Sequence, residues 1–401
     1  MAHPVFWQVA TISICRANEE YEHQEKSDIF NTTTIITDIY VFLDTTWPYY
    51  SIVNYLNYVL QNLNINPFAS SVTILAASDG TPIVNTTNYI NEVYANWNET
   101  THSKYNSGFK FPIILNTIRD LIEDKMNTER QLAKPGGQSL IALIMPSPIA
   151  YVSESDERYC LHFLDNLNYT LPDINILFYA GGAVIRFKSF VWDPEDDLFL
   201  LSLDNSVERS AEPVVKRIRK EPRRITNPHC GADWQPNKSA MNAMMQTVRP
   251  GGINFYRMAP NYFFDRKSMR YIQVDANNAV TVTVCFSREV RYPHREGSLI
   301  PANQDCRQIT SLSQSYDLTD ACTGYDTILQ CPPLYMSVQA QTFADSTQVS
   351  CTDEDCQSPD QVRYTIFVNN LTCNAAIRIR WGYLNALSIV LIFLCIFYKI
   401  F

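Results

Sequence analysis

The stretch Ile35-Ile-Thr-Asp-Ile-Tyr-Val-Phe-Leu-Asp44 decides the fold, because a run of β-branched and aromatic residues ends at one carboxylate. A continuous and mostly apolar run is typical of a strand that is buried on both faces. Apolar residues then recur at helical spacing from Ile52 to Leu63. This order of a buried strand and an amphipathic helix predicts the first unit of an α/β sheet.

The same alternation continues over residues 34–228, which we interpret as one domain. Buried strands between amphipathic helices predict an α/β fold, a doubly wound and mainly parallel sheet with helices on both faces. The further predicted strands are Val72–Ala76, Leu140–Met145, Ile174–Tyr179 and Leu198–Leu203, with an edge strand at Thr81–Val84. The further predicted helices are Ile113–Met126, Tyr159–Leu167 and Ser206–Lys220.

The texture changes after Cys230, where helical periodicity gives way to short alternating stretches such as Val280–Cys285. We predict a cysteine-rich, β-sandwich-like module over residues 229–373. Eight cysteines allow many pairings, so the sequence leaves the connectivity open. The candidates for disulfide bonds are Cys230, Cys285, Cys306, Cys322, Cys331, Cys351, Cys356 and Cys373.

Cys160 is left over when those eight cysteines pair among themselves. It lies on the apolar side of a predicted helix, so we expect a buried free thiol and a monomeric protein. The alternative is a bridge from Cys160 to Cys230, which leaves a thiol of the second module free to link two chains.

The composition restricts the class of partner and the compartment. The net charge of −9 argues against a nucleic-acid partner, because phosphate binding requires a basic surface. The 11 cysteines favour an oxidising compartment. Sequons for N-glycosylation along the chain agree with a secreted glycoprotein. They begin at Asn31, Asn85, Asn98, Asn168, Asn237 and Asn370.

Both ends of the chain are apolar. The first 17 residues are interpreted as a secretory signal peptide, with a buried strand as the alternative. Residues 377–401 are interpreted as a C-terminal membrane anchor. Small residues from Asn374, a polar spacer and an apolar tail favour a glycosylphosphatidylinositol (GPI) signal with the lipid on Asn374, and a transmembrane helix is the alternative.

The strand that ends Leu43-Asp44-Thr45-Thr46 opens a domain that resembles the von Willebrand factor type A family. That resemblance implies a metal cage of hydroxyl and carboxylate oxygens on three loops. Asp44 and Thr46 match its first two positions, but Pro48 occupies the third. The other two loops contain Lys110 and Pro146-Ser-Pro where the family has a threonine and an aspartate. We therefore expect no metal site and no cofactor.

Ligands of open α/β sheets bind at the carboxyl ends of the strands. There the aromatic residues Trp47, Tyr49 and Tyr50 form a candidate rim for a protein ligand, since aromatic side chains dominate binding hot spots. The alternative is that these side chains pack within their own loop.

No known catalytic motif occurs in the sequence, so we predict that the protein is not an enzyme. His162 follows Cys160 on a predicted helix by two residues, a spacing that does not share a helix face. The basic run over residues 216–224 is open to three interpretations: a solvated helix end, a processing site or a glycosaminoglycan patch.

These observations together predict a glycosylated cell-surface protein that binds an extracellular protein, in adhesion or a related role. The alternatives are a structural coat or matrix component and a hydrolase whose site lacks a known motif. The functional step is an analogy, because one fold hosts many roles.

Overall fold

The computed structural model describes residues 29–30, 32–230, 242–264, 269–276, 281–295, 302–310, 312–341, 357–358 and 360–373. Within these ranges, no helix combines the length and the hydropathy that crossing a bilayer requires. The expected signal peptide, residues 1–17, and the expected anchor, residues 377–401 with Asn374, lie outside the described residues.

Residues 32–222, here called the α/β region, contain one six-stranded sheet. Its strands are β1 (Thr37–Leu43), β2 (Ser71–Ala76), β3 (Pro82–Thr87), β4 (Ser139–Met145), β5 (Ile174–Gly181) and β6 (Leu198–Leu201). Their order is β3-β2-β1-β4-β5-β6, and only the pair of β2 with β3 is antiparallel. The predicted mainly parallel sheet with one edge strand is confirmed.

Helices cover both faces of this sheet. They are α1 (Tyr49–Gln61), α2 (Ile90–Asn96), α3 (Glu99–His102), α4 (Phe111–Leu132), α5 (Glu154–Thr170) and α6 (Val207–Arg219). Leu56 of α1 and Val215 of α6 share a core with one face of β1, whereas Ile118 of α4 and Leu164 of α5 share a core with the other. The sequence predicts α1, α4, α5 and α6 but not the short α2 and α3.

Residues 223–373, here called the β region, form two further sheets. Their strands are β7 (Arg223–Ile225), β8 (Asn242–Val248), β9 (Ile253–Met258), β10 (Tyr271–Ala276), β11 (Thr281–Ser287), β12 (Asp305–Thr310), β13 (Ser313–Asp317), β14 (Leu334–Ala340) and β15 (Val362–Asn369). One sheet has the order β13-β10-β15-β8 and the other β12-β11-β14-β9-β7. Side chains of both sheets, such as Ile366 and Val338, share one hydrophobic core.

β7 begins inside the stretch that the sequence assigns to the first domain. It pairs in parallel with β9 and so forms an edge of the five-stranded sheet. The adjoining turn at Pro135–Gly137 contacts β7 from the α/β region, where the Gly137 N–H donates to the Arg224 carbonyl (2.9 Å). The two regions therefore share a packed junction.

Three disulfide bonds lie in the β region: Cys230–Cys373, Cys285–Cys306 and Cys322–Cys331. Six of the eight predicted cysteines are thus paired within the chain, and Cys351 and Cys356 lie outside the described residues. Cys160 is buried and free, as predicted, and burial together with nearby Asp156 raises the pKa of its thiol to about 12. The alternative bridge from Cys160 to Cys230 is not formed.

Candidate functional site

The candidate site lies where the parallel strands end. In the register, Leu43 at the end of β1 faces Ala76 of β2 on one side and Met145 of β4 on the other. The loops that follow these strands and β5 therefore meet at one edge of the sheet, the usual place for ligands in open α/β folds. We call this edge the carboxyl rim; its loops comprise residues 44–48, 77–81, 146–153 and 182–192.

Asp44 lies at the centre of the carboxyl rim and is buried. One carboxylate oxygen accepts the backbone N–H of Thr46 (2.9 Å), and the other accepts the backbone N–H of Ser147 (2.9 Å). Hydrogen bonds to an ionised group contribute about 1.5–3 kcal/mol each. Asp44 therefore holds the loop after β1 against the loop after β4.

The three loops that the family resemblance singles out do come together. The Thr45 hydroxyl donates to the Asn106 carbonyl (2.8 Å), which joins the first loop to the segment before α4. Lys110 follows in that segment and its side chain is exposed, while Pro148 in the third loop is also exposed. Thr46 is half-buried beside Asp44.

The aromatic residues after β1 are less exposed than a ligand-binding rim requires. Trp47 is buried, and a Cβ atom on Gly181 would lie 2.4 Å from its ring, so this side chain packs between strands instead of facing a ligand. Tyr49 is half-buried and contacts Trp97 edge-on, with ring centroids 5.2 Å apart. Tyr50 is 69% exposed, and its hydroxyl donates to Glu99 (2.7 Å). Trp47 and Tyr49 thus pack against other segments of the α/β region, and Tyr50 alone of the three is exposed.

His102 stabilises the loop after β1 through hydrogen bonds of both its ring nitrogens. Its Nδ1 accepts the indole N–H of Trp97 (3.2 Å), so its Nε2 donates to the Trp47 carbonyl (2.8 Å). Because both ring nitrogens are occupied and the ring is buried, His102 has a structural role here. The sequence does not predict the helices that place His102 and Trp97.

A second group of exposed apolar side chains lies in the loops after β4 and β5. Ile149 is 75% exposed, Tyr151 74% and Ile185 66%. We call these three residues the apolar crest. The guanidinium of Arg186 holds their two loops together, because one nitrogen donates to the carbonyls of Ser147 and Gly181 (2.8 Å each).

Sequence reasoning missed the crest because it searched for aromatic residues directly after β1. The available signal was the segment Pro146-Ser-Pro148-Ile-Ala-Tyr151, which places apolar residues among prolines in a loop after a buried strand. Loops carry function when a rigid scaffold positions them, so apolar residues there are informative.

Four buried polar atoms at the carboxyl rim lack a hydrogen-bond partner. Among the described residues, the indole nitrogen of Trp47, the hydroxyls of Ser78 and Ser147 and the Nε of Arg186 have no hydrogen-bond partner. Each such group costs on the order of 1–3 kcal/mol when it is left unsatisfied. Burial lowers the pKa of Arg186 from its ordinary value.

The opposite edge of the sheet, at the amino ends of β1, β4 and β5, packs against the β region. The Lys125 ammonium binds Asp38 (2.8 Å) and lies 3.9 Å from Glu129, which also forms a buried ion pair with Arg224. Burial raises the pKa of Asp38, but Lys125 together with the hydrogen bonds from Ser71 and Gln138 makes the net shift downward. Burial lowers the pKa of Arg224, but Glu129 and Asp173 together make the net shift upward.

The basic run over residues 216–224 divides into two parts: Lys216 and Lys220 are exposed near the end of α6, in agreement with a solvated helix end, whereas Arg217, Arg223 and Arg224 are buried. Arg217 is buried between Asp197 and Glu221 (2.8 Å to each). Arg223 is buried and donates to the carbonyl of Thr34. Arg224 is buried against Glu129, so these three cations are inaccessible to a protease or a sulfated polysaccharide in the folded protein.

The Cys160–His162 pair does not form a catalytic site. Cys160 is buried whereas His162, two residues further along α5, is exposed. The two side chains therefore lie on different faces of the helix, as the spacing predicts.

Four sequons fall on described residues. Asn85 is exposed on the edge strand β3 and Asn98 is half-buried at the start of α3. Asn168 in α5 and Asn370 after β15 are half-buried. No sequon occurs in the two loops that bear the apolar crest. Outside the described residues lie the sequons at Asn31 and Asn237.

Comparisons with known proteins do not add an identity to this geometry. No protein-family model matches the chain, and no curated protein matches it.

Proposed function

We propose that the protein is a glycosylated cell-surface protein that binds an extracellular protein ligand through its carboxyl rim, without a metal ion, in adhesion or a related recognition role. The observation that carries this proposal is the apolar crest, three strongly exposed side chains on two loops joined by Arg186. Exposed apolar groups held on a rigid scaffold mark interaction sites in soluble proteins.

The proposal includes an A-type α/β domain followed by a cysteine-rich β-sandwich. Supporting features are the mainly parallel sheet with helices on both faces, the position of Asp44 at the end of β1 and the charged helix α6 that closes the region. The three disulfides and the shared core of the two later sheets support the second module.

Metal independence rests on what Asp44 binds. Both of its carboxylate oxygens accept backbone N–H groups, and Pro48 and Pro148 supply no side-chain oxygen nearby. A hard cation needs several oxygen ligands at one point. Apolar contact at the crest is an interaction that needs no metal.

The distribution of sequons also favours this rim as the binding surface. A glycan on Asn85 covers the edge strand β3, and one on Asn98 lies beside α3, close to Glu99 and its partner Tyr50. The loops of the apolar crest lack sequons. We therefore place the main contact at the crest and assign Tyr50 to its periphery.

Photo-crosslinking tests the proposal on intact cells. A photoreactive phenylalanine replaces Tyr151 in one sample, and Leu312, 68% exposed in the β region, in the control. We expect a crosslinked protein adduct from position 151 only, with equal yield in the presence of EDTA. Equal adducts from both positions, or loss of the adduct on chelation, contradict the proposal.

Truncation of the crest measures its contribution. The double variant Ile149→Ala with Tyr151→Ala is expected to weaken binding to the crosslinked partner at least 10-fold, because central apolar anchors dominate interfaces. Unchanged thermal unfolding verifies the fold, since both side chains are exposed.

A further inference from the structure

The β region is a loop of the chain that one disulfide closes at its base. Cys230 enters the loop and Cys373 leaves it, 143 residues later, with Cα atoms 5.4 Å apart. The neighbouring backbone reinforces the closure, because the Asn227 amide donates to the Leu371 carbonyl (2.9 Å). The chain therefore enters and leaves this closed loop at the same point, where Cys230 and Cys373 lie side by side.

That point is attached directly to the α/β region. Backbone hydrogen bonds join the strand β7 to the turn of the α/β region, from Gly137 to the Arg224 carbonyl (2.9 Å) and from Thr226 to the Pro135 carbonyl (3.0 Å). The buried pair of Arg224 with Glu129 adds a side-chain link. Only three residues separate Thr226 from Cys230.

We infer that the Cys230–Cys373 disulfide carries mechanical tension between the α/β region and the C-terminal segment, and so excludes strands β8 to β15 of the two β sheets from the path of the force. A covalent path from Thr226 through the disulfide to Cys373 bypasses residues 231–372. Residues 231–372 then serve as a folded side domain that is not stretched when the chain is pulled, and the edge strand β7 is the part of the β sheets that stays on the path.

This inference rests on the proposed function, since a surface protein that binds a partner is pulled between its rim and its attachment. The path itself depends on the disulfide alone. The experiment therefore pulls on tags instead of the partner, so that failure of the proposed function leaves the result interpretable.

Single-molecule force spectroscopy tests the inference on the whole chain, with one tag ahead of Ile29 and the other behind Cys373. For the native chain we expect full extension to release residues up to Cys230 only. The variant with Cys230→Ser and Cys373→Ser is expected to gain roughly 400 Å of contour length at ~3.6 Å per residue. That gain allows for the disulfides that still retain 21 and 9 residues within the loop.

The matched control is the variant with Cys322→Ser and Cys331→Ser, which removes a disulfide inside the loop. We expect its contour length to equal that of the native chain. The inference is overturned if the native chain already extends by the additional contour length of roughly 400 Å that residues beyond Cys230 would release. It is also overturned if the Cys230→Ser, Cys373→Ser variant shows no gain over the native chain.

A second measurement covers the case in which the double-serine variant does not fold. A specific protease site is inserted at Leu312, on the exposed turn between β12 and β13, with all native cysteines kept. Because residues 231–372 lie off the path, the cleaved protein should still hold force between the two tags. Rupture of the tether on cleavage contradicts the inference.

Discussion

The two edges of the parallel sheet have opposite chemistry. At the amino edge, charged side chains are buried and paired, as Asp38 with Lys125 and Glu129 with Arg224. At the carboxyl rim, apolar side chains such as Ile149 and Tyr151 are exposed. The same sheet therefore has one edge that packs against the β region and another that bears exposed apolar side chains.

This contrast teaches which residue types carry which role here. Buried ion pairs contribute little net stability because both charges must be desolvated. Removing one partner is strongly destabilising, because it leaves the other charge buried and unpaired. Exposed apolar groups contribute little to the fold, so their replacement changes binding more than stability. Stability variants should therefore concentrate at the amino edge and binding variants at the carboxyl rim.

The largest stability effect is expected from Arg224→Met. The substitution leaves the buried Glu129 with Lys125 at 3.9 Å and the Gln138 amide at 3.4 Å as its polar neighbours, so we expect a loss of about 3 kcal/mol in the free energy of unfolding by denaturant. The control is Arg307→Met, whose exposed pair with Asp305 should contribute less than about 1 kcal/mol.

A double variant sharpens this prediction. Adding Glu129→Leu to Arg224→Met removes the uncompensated charge and should recover most of the loss. Equal stabilities of the Arg224→Met and Arg307→Met proteins contradict a structural role for the amino-edge ion pair.

A smaller effect is expected from close approach at the junction. In Gly136→Ala, the new Cβ lies 2.5 Å from the Arg224 carbonyl oxygen at a φ of +97°. The control, Gly324→Ala, has a φ of +95° and nothing within 4 Å of the new Cβ. We expect the free energy of unfolding of Gly136→Ala to be about 1–2 kcal/mol lower than that of the control, because the backbone at Arg224 must shift to admit the new Cβ. Equal losses would mean that the junction is not tightly packed.

The pH dependence of unfolding probes the same edge. Lys125 lowers the pKa of Asp38 below its ordinary value in spite of burial. A depressed carboxyl pKa stabilises the folded state above the unfolded pKa of ~3.9, and the contribution disappears as the pH falls through the folded value. Asp38→Asn should therefore be less stable than the native protein above pH ~5 and approach it at the acid end. A gap that persists unchanged in acid contradicts this assignment.

The smallest effect is expected at the carboxyl rim on chelation. Asp44 binds two backbone amides, so EDTA should change the Tm by less than about 1 °C, whereas removing a bound ion would lower the Tm. A fall of several degrees would show that the rim holds a metal ion.

The elements that local pattern specifies could be predicted from the sequence. β1, β4 and β5 are continuous apolar runs, and α1 and α4 have apolar residues at helical spacing. Such signals depend on the segment itself and on burial of its faces. The α/β class and the mainly parallel sheet follow from them.

The burial of the basic run could not be predicted, because it depends on partners that are distant in sequence. Arg224 meets Glu129, 95 residues earlier, and Arg223 meets Asn254, 31 residues later. From its own sequence, the three-residue strand β7, which includes two arginines, resembles a polar linker. The exposed crest was missed for the converse reason, since loop residues carry no periodicity.

The position of β7 bears on how such a chain is inherited. β7 precedes Cys230 and pairs with β9. A recombination breakpoint at Cys230, between the cysteine-poor and the cysteine-rich half of the chain, therefore separates this edge strand from its own sheet. A transplanted α/β half would keep the pair of Arg224 with Glu129 but would carry the buried Arg223 without its partner Asn254, and the recipient sheet would expose an unpaired edge. We therefore expect the two regions to be transmitted through evolution as one unit.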